Sequence, residues 1–569
     1  MLRILAIILL LVLISAVRAQ AIYDPLSQPN NRFGIHIIDE NDLQDAANLV
    51  NSSGGDWGYV KIVIREDDRN LEKWQAIFDR MRKMHLIPLV RLATKVENGV
   101  WIKPREADLD SWVEFLAKLN WVIENRYVII FNEPNHAQEW GGEVDPKSYA
   151  WFLKEFSSKL KERSEDFFIL PAGLDASAPN GFDTLDEVTF LQRLVAAEPE
   201  IFKSIDGWTS HSYPNPDFSG SPLAQGRGSV RTFAWELNLL ENYGASNLPV
   251  FITETGWQHS DGIYRNRRFA TPDQVAQNYI TAFTNAWSDP RIVVVTPFLL
   301  NYQGPPFDYF SFRKLNSSEF FPMYLAIQNL AKTAATPKQL LSAKILADNF
   351  PGKLVTGSDY ILNVDIENTG QALIDSQDGW QLTLTGLPKE ISVTTSNIFA
   401  VEPFHRTRVE IHLKTSKSAG FYNYEFILQK NRTDVAKSSA SLSLVAPPSL
   451  LVTAKTWINR LAQGHDFSLL IYDEQERLLK EAKNLAFDQG LAQVDELYDI
   501  VPNRKYRLVL TKPYYLPRQI YAKLSESATR VTFPVLLPLD PSNDGALTWD
   551  DAKAFFKKPL ETFGLLIAL

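Results

Sequence analysis

Two glutamates stand where apolar runs stop. Glu133 follows Tyr127-Val-Ile-Ile-Phe131-Asn132 and precedes Pro134-Asn135, while Glu254 follows Pro249-Val-Phe-Ile252-Thr253 and precedes Thr255-Gly256-Trp257. A strand buried on both faces reads as a continuous apolar run, and functional groups gather where it emerges at its C-terminal end. Pro134 cannot extend a strand, so the chain turns there and leaves Glu133 at a rim. Two carboxyls on one rim can cleave a glycosidic bond. One attacks the anomeric carbon and the other protonates the leaving oxygen, about 5–5.5 Å away in a retaining site. The acid keeps its proton through apolar surroundings and a nearby like charge; the nucleophile needs a cation or hydrogen-bond donors to stay ionised. A lone rim Glu is as readily a salt-bridge partner as a catalyst, so the weight falls on the pair and its surroundings.

Strand-like and helix-like segments alternate from about residue 31 to residue 335 and must position that pair. Apolar runs predict strands at Phe33–Ile38, Gly58–Ile64, Ile87–Leu92, Tyr127–Phe131, Phe167–Pro171, Gly207–His211, Val250–Thr253 and Val293–Leu299. Helical spacing of apolar residues follows in Leu71–His85, Ser111–Ile123, Pro146–Ser164 and Pro272–Ser288. Eight such units predict a parallel (β/α)8 TIM barrel over residues 20–338, with strands four and seven across the mouth from one another. An open doubly wound sheet is the alternative, but no Gly-rich phosphate loop follows the first strand.

Composition limits the remaining choices. The 569 residues exceed one core, and a net charge of −9 without a basic stripe argues against a nucleic-acid partner. Aromatic residues are 12% of the chain, with 14 Trp, which suits stacking on the apolar faces of sugars. No Cys is present, which removes thiol nucleophiles, iron–sulfur clusters and thiolate zinc. Arg3, the apolar run Ile4 to Ile14 and the cleavage-like Val17-Arg18-Ala19 predict a signal peptide over residues 1–19, hence a secreted or cell-surface protein, with an uncleaved anchor as the alternative. His36-Ile-Ile-Asp39 lacks the His-x-His pair of metal-dependent barrel hydrolases, so no cofactor is expected in the chemistry.

The barrel segment resembles clan A of the glycoside hydrolases, with traits of families 39, 5 and 17. The resemblance is carried by Asn132-Glu133, by Glu254 ending strand seven, by His211-Ser212-Tyr213 on strand six and by Arg65 late on strand two. It implies a retaining hydrolase of β-glycosidic bonds in a poly- or oligosaccharide, with Glu133 as acid/base and Glu254 as nucleophile. It further implies that Asn132 binds the sugar 2-hydroxyl, that Tyr213 donates a hydrogen bond to the nucleophile and that Arg65 keeps it ionised. His211 takes a positioning role, His36 late on strand one a sugar contact, and Arg91 on strand three reads equally well as a structural partner. Many clan members place a Trp at the end of strand eight beneath the cleaved sugar. Here Phe298-Leu-Leu-Asn301-Tyr302 stands there, so Tyr302 or Trp257 is expected to floor the subsite; Trp140 and Trp208 are further platform candidates. A catalytically silent glycan-binding protein on the same barrel is the reading from another class, and transglycosylation shares the covalent intermediate.

Beyond residue 338 the helical period disappears. Residues 339–446 read as an Ig-like β-sandwich and residues 447–535 as a second all-β domain, serving as spacers or as attachment to a cell surface or scaffold. In residues 536–569, Asp540, Ser542, Asp544, Ala546, Thr548 and Asp551 fall at EF-hand loop positions one, three, five, seven, nine and twelve, with Gly545 at six. The pattern predicts Ca2+ binding, and the segment resembles one repeat of a dockerin; the other reading is an Asp-rich turn capping a helix.

Overall fold

The computed structural model describes residues 22–560 and 562. The expected signal peptide at residues 1–19 lies outside the described residues. Among the described residues no helix is long and apolar enough to cross a membrane. They fall into two compact units, one running to Leu341 and including Gly370–Leu373, the other Ser342–Thr369 with Ile374 onward.

The first unit is a barrel of eight parallel strands. These are β1 (Gly34–His36), β2 (Gly58–Arg65), β3 (Leu86–Ala93), β4 (Arg126–Ile129), β5 (Phe167–Leu170), β6 (Trp208–His211), β7 (Val250–Thr255) and β8 (Ile292–Pro297). Strands β1 to β5 pair in sequence order, as do β6 to β8. A parallel bridge from Phe33 to Val295 joins β8 back to β1. Between β5 and β6 the Asp206 N–H donates to the Ile169 carbonyl at 2.9 Å, and the Thr209 hydroxyl donates to the Pro171 carbonyl at 2.7 Å. The ring is therefore closed, and the open-sheet alternative falls.

Each strand is followed by a helix: α1 (Leu43–Val50), α2 (Leu71–Lys83), α3 (Leu109–Lys118), α4 (Pro146–Arg163), α5 (Glu187–Ala197), α6 (Thr232–Leu240), α7 (Pro272–Thr284) and α8 (Pro322–Gln328). Local chemistry sets their starts. Asp145 caps the Ser148 N–H ahead of Pro146, and Thr271 with Gln274 forms a capping box ahead of Pro272. Rings from four strands meet inside the barrel: Tyr59 with Tyr127, Tyr127 with Phe168 and Phe251, and Phe168 with Phe251, at centroid distances of 5.0–6.1 Å. This aromatic layer makes a solid floor, so the polar groups above it can open only toward the C-terminal mouth.

The second unit is all-β until its final helix. Two four-stranded sheets span residues 343–445, and a three-stranded and a four-stranded sheet span residues 449–532. Residues 540–548 then lead into the helix Trp549–Lys557.

Candidate active site

Glu254 reaches the barrel interior through an irregularity. Phe251 points inward, so strict alternation would turn Glu254 outward. One residue too many lies in β7 against both neighbours: Ser210 and His211 pair with Ile252 and Glu254, while Val295 and Pro297 pair with Ile252 and Thr255. This bulge swings Glu254 back into the mouth, where it is only 7% exposed.

Glu133 arrives by a second departure from regular strand geometry. Phe131 has φ 68° and Glu133 φ 30°, left-handed values that cost a non-glycine residue about 1–3 kcal/mol each. Packing over-determines the conformation. The Phe131 ring is held edge-on by Trp140, Phe152 and Phe156, and the Glu133 N–H donates to the Gly173 carbonyl at 3.1 Å. The fully buried Asn135 amide donates to the carbonyls of Asp175 and Leu185 and accepts from the Asp175 N–H, which ties this turn to the loop after β5.

The two carboxyls meet around His211. An oxygen of Glu133, an oxygen of Glu254 and a His211 nitrogen all lie within 4.8 Å of one another. Nδ1 of His211 is 2.6 Å from Oε1 of Glu133 and 3.9 Å from Oε2 of Glu254. Room for this ring exists because residue 173 lacks a side chain; a Cβ there would sit 2.2 Å from His211 Cδ2. The Tyr213 hydroxyl donates to Oε2 of Glu254 at 3.0 Å, as expected. Asn132 stands at the rim beside Glu133, its amide 3.4 Å from Oε2 of Glu139.

The cation that serves Glu254 is Lys61, not Arg65. Lys61 Nζ donates to Oε1 of Glu254 at 2.7 Å, and Lys61 is fully buried. It lies two residues after Tyr59 on β2 and so shares its inward face. Arg65 ends the same strand four residues, or about 13 Å, farther along. There its side chain is half exposed and ion-paired with Asp67. A lysine at the inward parity of an otherwise apolar strand was the signal for this partner in the sequence. Burial pushes the Glu254 carboxyl up, but Lys61, His211, His36 and Arg91 together outweigh it and hold the group far below the usual carboxylate range. Arg91, 8% exposed on β3, therefore belongs to the site's electrostatics rather than to a structural pair.

His36 is 2% exposed with Nδ1 3.9 Å from Oε1 of Glu254. Burial, reinforced by Lys61, holds its imidazole well below the usual range and therefore neutral. Neither ring nitrogen has a hydrogen-bond partner among the described residues, which leaves both for a ligand hydroxyl.

The aromatic expectations need correction. Trp257 is 1% exposed, donates its indole N–H to the Gly220 carbonyl at 2.8 Å and packs edge-on against Tyr279, so it supports a loop instead of a sugar. Trp140 and Trp208 are equally buried. The ring beside the site is Phe298, 5.2 Å from the His36 ring, followed outward by Phe307 and then by the half-buried Tyr302. Tyr302 thus belongs to the wall, one ring removed from the floor.

Among the described residues, two clusters have ligand types suited to a cation. At Glu133, His211 and Glu254, the Lys61 ammonium already neutralises Glu254 and would repel a metal ion. At the C-terminus, carboxylate oxygens of Asp540, Asp544 and Asp551 lie within 4.8 Å of one another, and Asp540 and Asp551 are 3% and 4% exposed. The Ser542 hydroxyl donates to Asp551 at 2.7 Å and the Thr548 hydroxyl to Asp544 at 2.9 Å, so their oxygens line the same loop. This all-oxygen set fits a hard divalent cation.

No protein-family model matches the chain, and no curated protein does. Solved structures that are similar include a family 39 glycoside hydrolase from Bacteroides cellulosilyticus WH2, at 13% identity over 86% of this chain and 82% of that one, with a TM-score of 0.37. A GH39 β-xylosidase from Caulobacter crescentus matches at 10% identity over 70% and 98%, with a TM-score of 0.36. GH5_18 from Streptomyces cattleya, in complex with GlcNAc, matches at 15% identity over 53% and 79%, with a TM-score of 0.37. At such values the chemistry rests on the site's own side chains.

Proposed function

We propose that the barrel is a retaining glycoside hydrolase that cleaves β-glycosidic bonds of a poly- or oligosaccharide by double displacement. The observation that carries this is the approach of Glu133 and Glu254 to within 4.8 Å around His211. An inverting pair stands about 6.5–9.5 Å apart to hold a water between the carboxyls, and the closer approach of these oxygens supports the retaining reading. Glu254, buried and paired with Lys61, is the nucleophile. Tyr213 fixes its second oxygen, so the first is aimed by the ammonium at the anomeric carbon above it. Glu133, with its side chain 21% exposed, is the acid/base. It shares one hydrogen bond with His211 and protonates the departing oxygen, then takes a proton from the water that releases the glycosyl group. His36 and Asn132 supply hydrogen bonds to sugar hydroxyls.

Proton NMR of the first-formed sugar tests the assignment. A product that keeps the anomeric configuration supports it; inversion, or full activity in Glu254→Ala on every glycan the wild type cleaves, ends it. The segment 1–19 fits export, and sequencing of the secreted chain should begin at Gln20. In the same proposal the β-sandwich and the second all-β domain attach the enzyme to a surface or scaffold, and the loop 540–551 holds Ca2+.

A further inference from the structure

A third carboxyl reaches the barrel mouth. Glu139 ends the 3₁₀ turn Ala137–Glu139, directly after the turn that carries Glu133. The Glu139 N–H donates to the His136 carbonyl at 3.1 Å, and the His136 N–H donates to the Glu133 carbonyl at 2.8 Å. The next residue, Trp140, is clamped among Phe131, Tyr149 and Phe152. Glu139 is thus fixed to the same rigid turn as the acid/base. One of its oxygens accepts from the Asn132 amide at 3.4 Å, and no cation among the described residues forms an ion pair with it. An ionised carboxylate offers about four lone-pair sites, so most of its acceptor capacity remains open.

We propose that Glu139 binds substrate: its carboxylate accepts sugar hydroxyls beside Asn132 and repels carboxylated sugars, so that the enzyme takes neutral glycans and rejects uronates. This rests on the hydrolase reading above. A uronate seated beside Asn132 would set its carboxylate against that of Glu139, on which Arg91 acts without forming an ion pair among the described residues, while Lys61 is already spent on Glu254. The groups that act on Glu139 are Arg91 from β3, Glu133, Asn132 and His136 from the segment after β4, and Glu254 from β7. Burial pushes the Glu139 carboxyl up to about 7, with Arg91 and the Asn132 amide pulling against it and Glu133 and Glu254 adding to it. The carboxyl is ionised above that value and neutral below it, so rejection of uronates strengthens as pH rises from about 6 to 8.

The test uses 4-nitrophenyl β-D-glucoside and β-D-xyloside against 4-nitrophenyl β-D-glucuronide, on the full chain and on Glu139→Gln. In the variant, KM for the neutral glycosides should rise about tenfold while kcat stays within about threefold. Its kcat/KM preference for neutral over uronide substrate should fall about tenfold at pH 8 and lose its dependence on pH. Unchanged KM and preference would overturn the proposal. So would a fall in kcat at constant KM, which would mark Glu139 as support for the turn alone. Calorimetry of the neutral glycosides on Glu254→Ala, with and without Glu139→Gln, reads binding without turnover; equal affinities, or none, overturn it too. If Glu254→Ala keeps full activity, the hydrolase reading itself falls and takes this one with it. An inactive Glu254→Ala with an unaltered Glu139→Gln defeats this inference only.

Discussion

Replacing Lys61 by Met isolates the electrostatic device that keeps Glu254 ionised. The ammonium and the carboxylate are 2.7 Å apart with side chains 1% and 9% exposed. At an effective dielectric of about 20, that separation is worth about 6 kcal/mol of attraction. His211 and Arg91 remain to offset part of the loss, and the desolvated lysine itself is held below its usual range by burial. A net loss of about 3 kcal/mol is then a conservative figure, equal to roughly two pH units in the carboxyl's titration. Wild-type Glu254 is ionised until far below the ordinary carboxylate range, so the acid limb of kcat/KM that it sets lies at very low pH. In Lys61→Met that limb should rise by about two units or more. Stability should follow it. A carboxyl with a depressed folded pKa adds stability above its unfolded value and loses it as pH falls through the folded one. In the variant the folded value moves about two units back toward the unfolded one, so this contribution shrinks and is lost at a higher pH on acidification. The assays are pH–rate profiles and thermal melts between about pH 3 and 8. An acid limb and a melting profile that both match wild type would refute the role given to Lys61.

Three further outcomes follow from the geometry. Glu133→Ala should keep activity on aryl glycosides with good leaving groups and lose it by about a hundredfold or more on poor ones, with azide restoring turnover; equal losses on both classes would remove its acid role. Gly173→Ala places a Cβ 2.2 Å from the His211 ring, so kcat should fall at least about tenfold while the melting temperature drops only by the few degrees of an overpacked site; an unchanged kcat would show that the ring has other room. Calcium should raise the melting temperature of the C-terminal segment, and Asp540→Ala should abolish the rise; identical melts in calcium and in chelator would remove the cation from the loop 540–551.

The parts of the fold written as runs were readable. Most barrel strands are apolar segments of the length a doubly buried strand requires, β6 with Thr209, Ser210 and His211 being the polar exception, and both glutamates announce themselves by ending such runs. His211 and Tyr213 were legible through their spacing, His211 ending β6 and Tyr213 following two residues on. Three features were not. The β7 bulge leaves no mark in the sequence, because it depends on how Ile252, Glu254 and their neighbours register across two strands. Arg65 drew attention by sitting at a strand end, where function usually gathers, yet Glu254 lies deeper, at the level of Lys61. Trp257 follows Glu254 by three residues, but the Gly256 turn carries its ring into the wall against Tyr279. Nearness along the chain predicts contact only where the backbone stays regular.

The two carboxyls differ in ways that a motif cannot state, and the difference assigns their work. A nucleophile must be ionised whenever substrate arrives, and it never needs water as a proton source. Glu254 meets both demands, being buried, held by an ammonium and a phenol, and closed off from solvent by the aromatic layer beneath it. An acid/base must gain and lose a proton in every cycle, so it needs a route to water and a partner that can share the proton. The Glu133 side chain is 21% exposed against 9% for Glu254, and it shares a 2.6 Å contact with an imidazole. Exchanging the roles would require a buried ammonium to release its carboxylate as an acid, while a rim carboxyl with no ion-paired lysine or arginine attacked carbon. On the proposed mechanism, the surroundings of each group, more than its identity as glutamate, fix which carboxyl attacks and which gives up its proton.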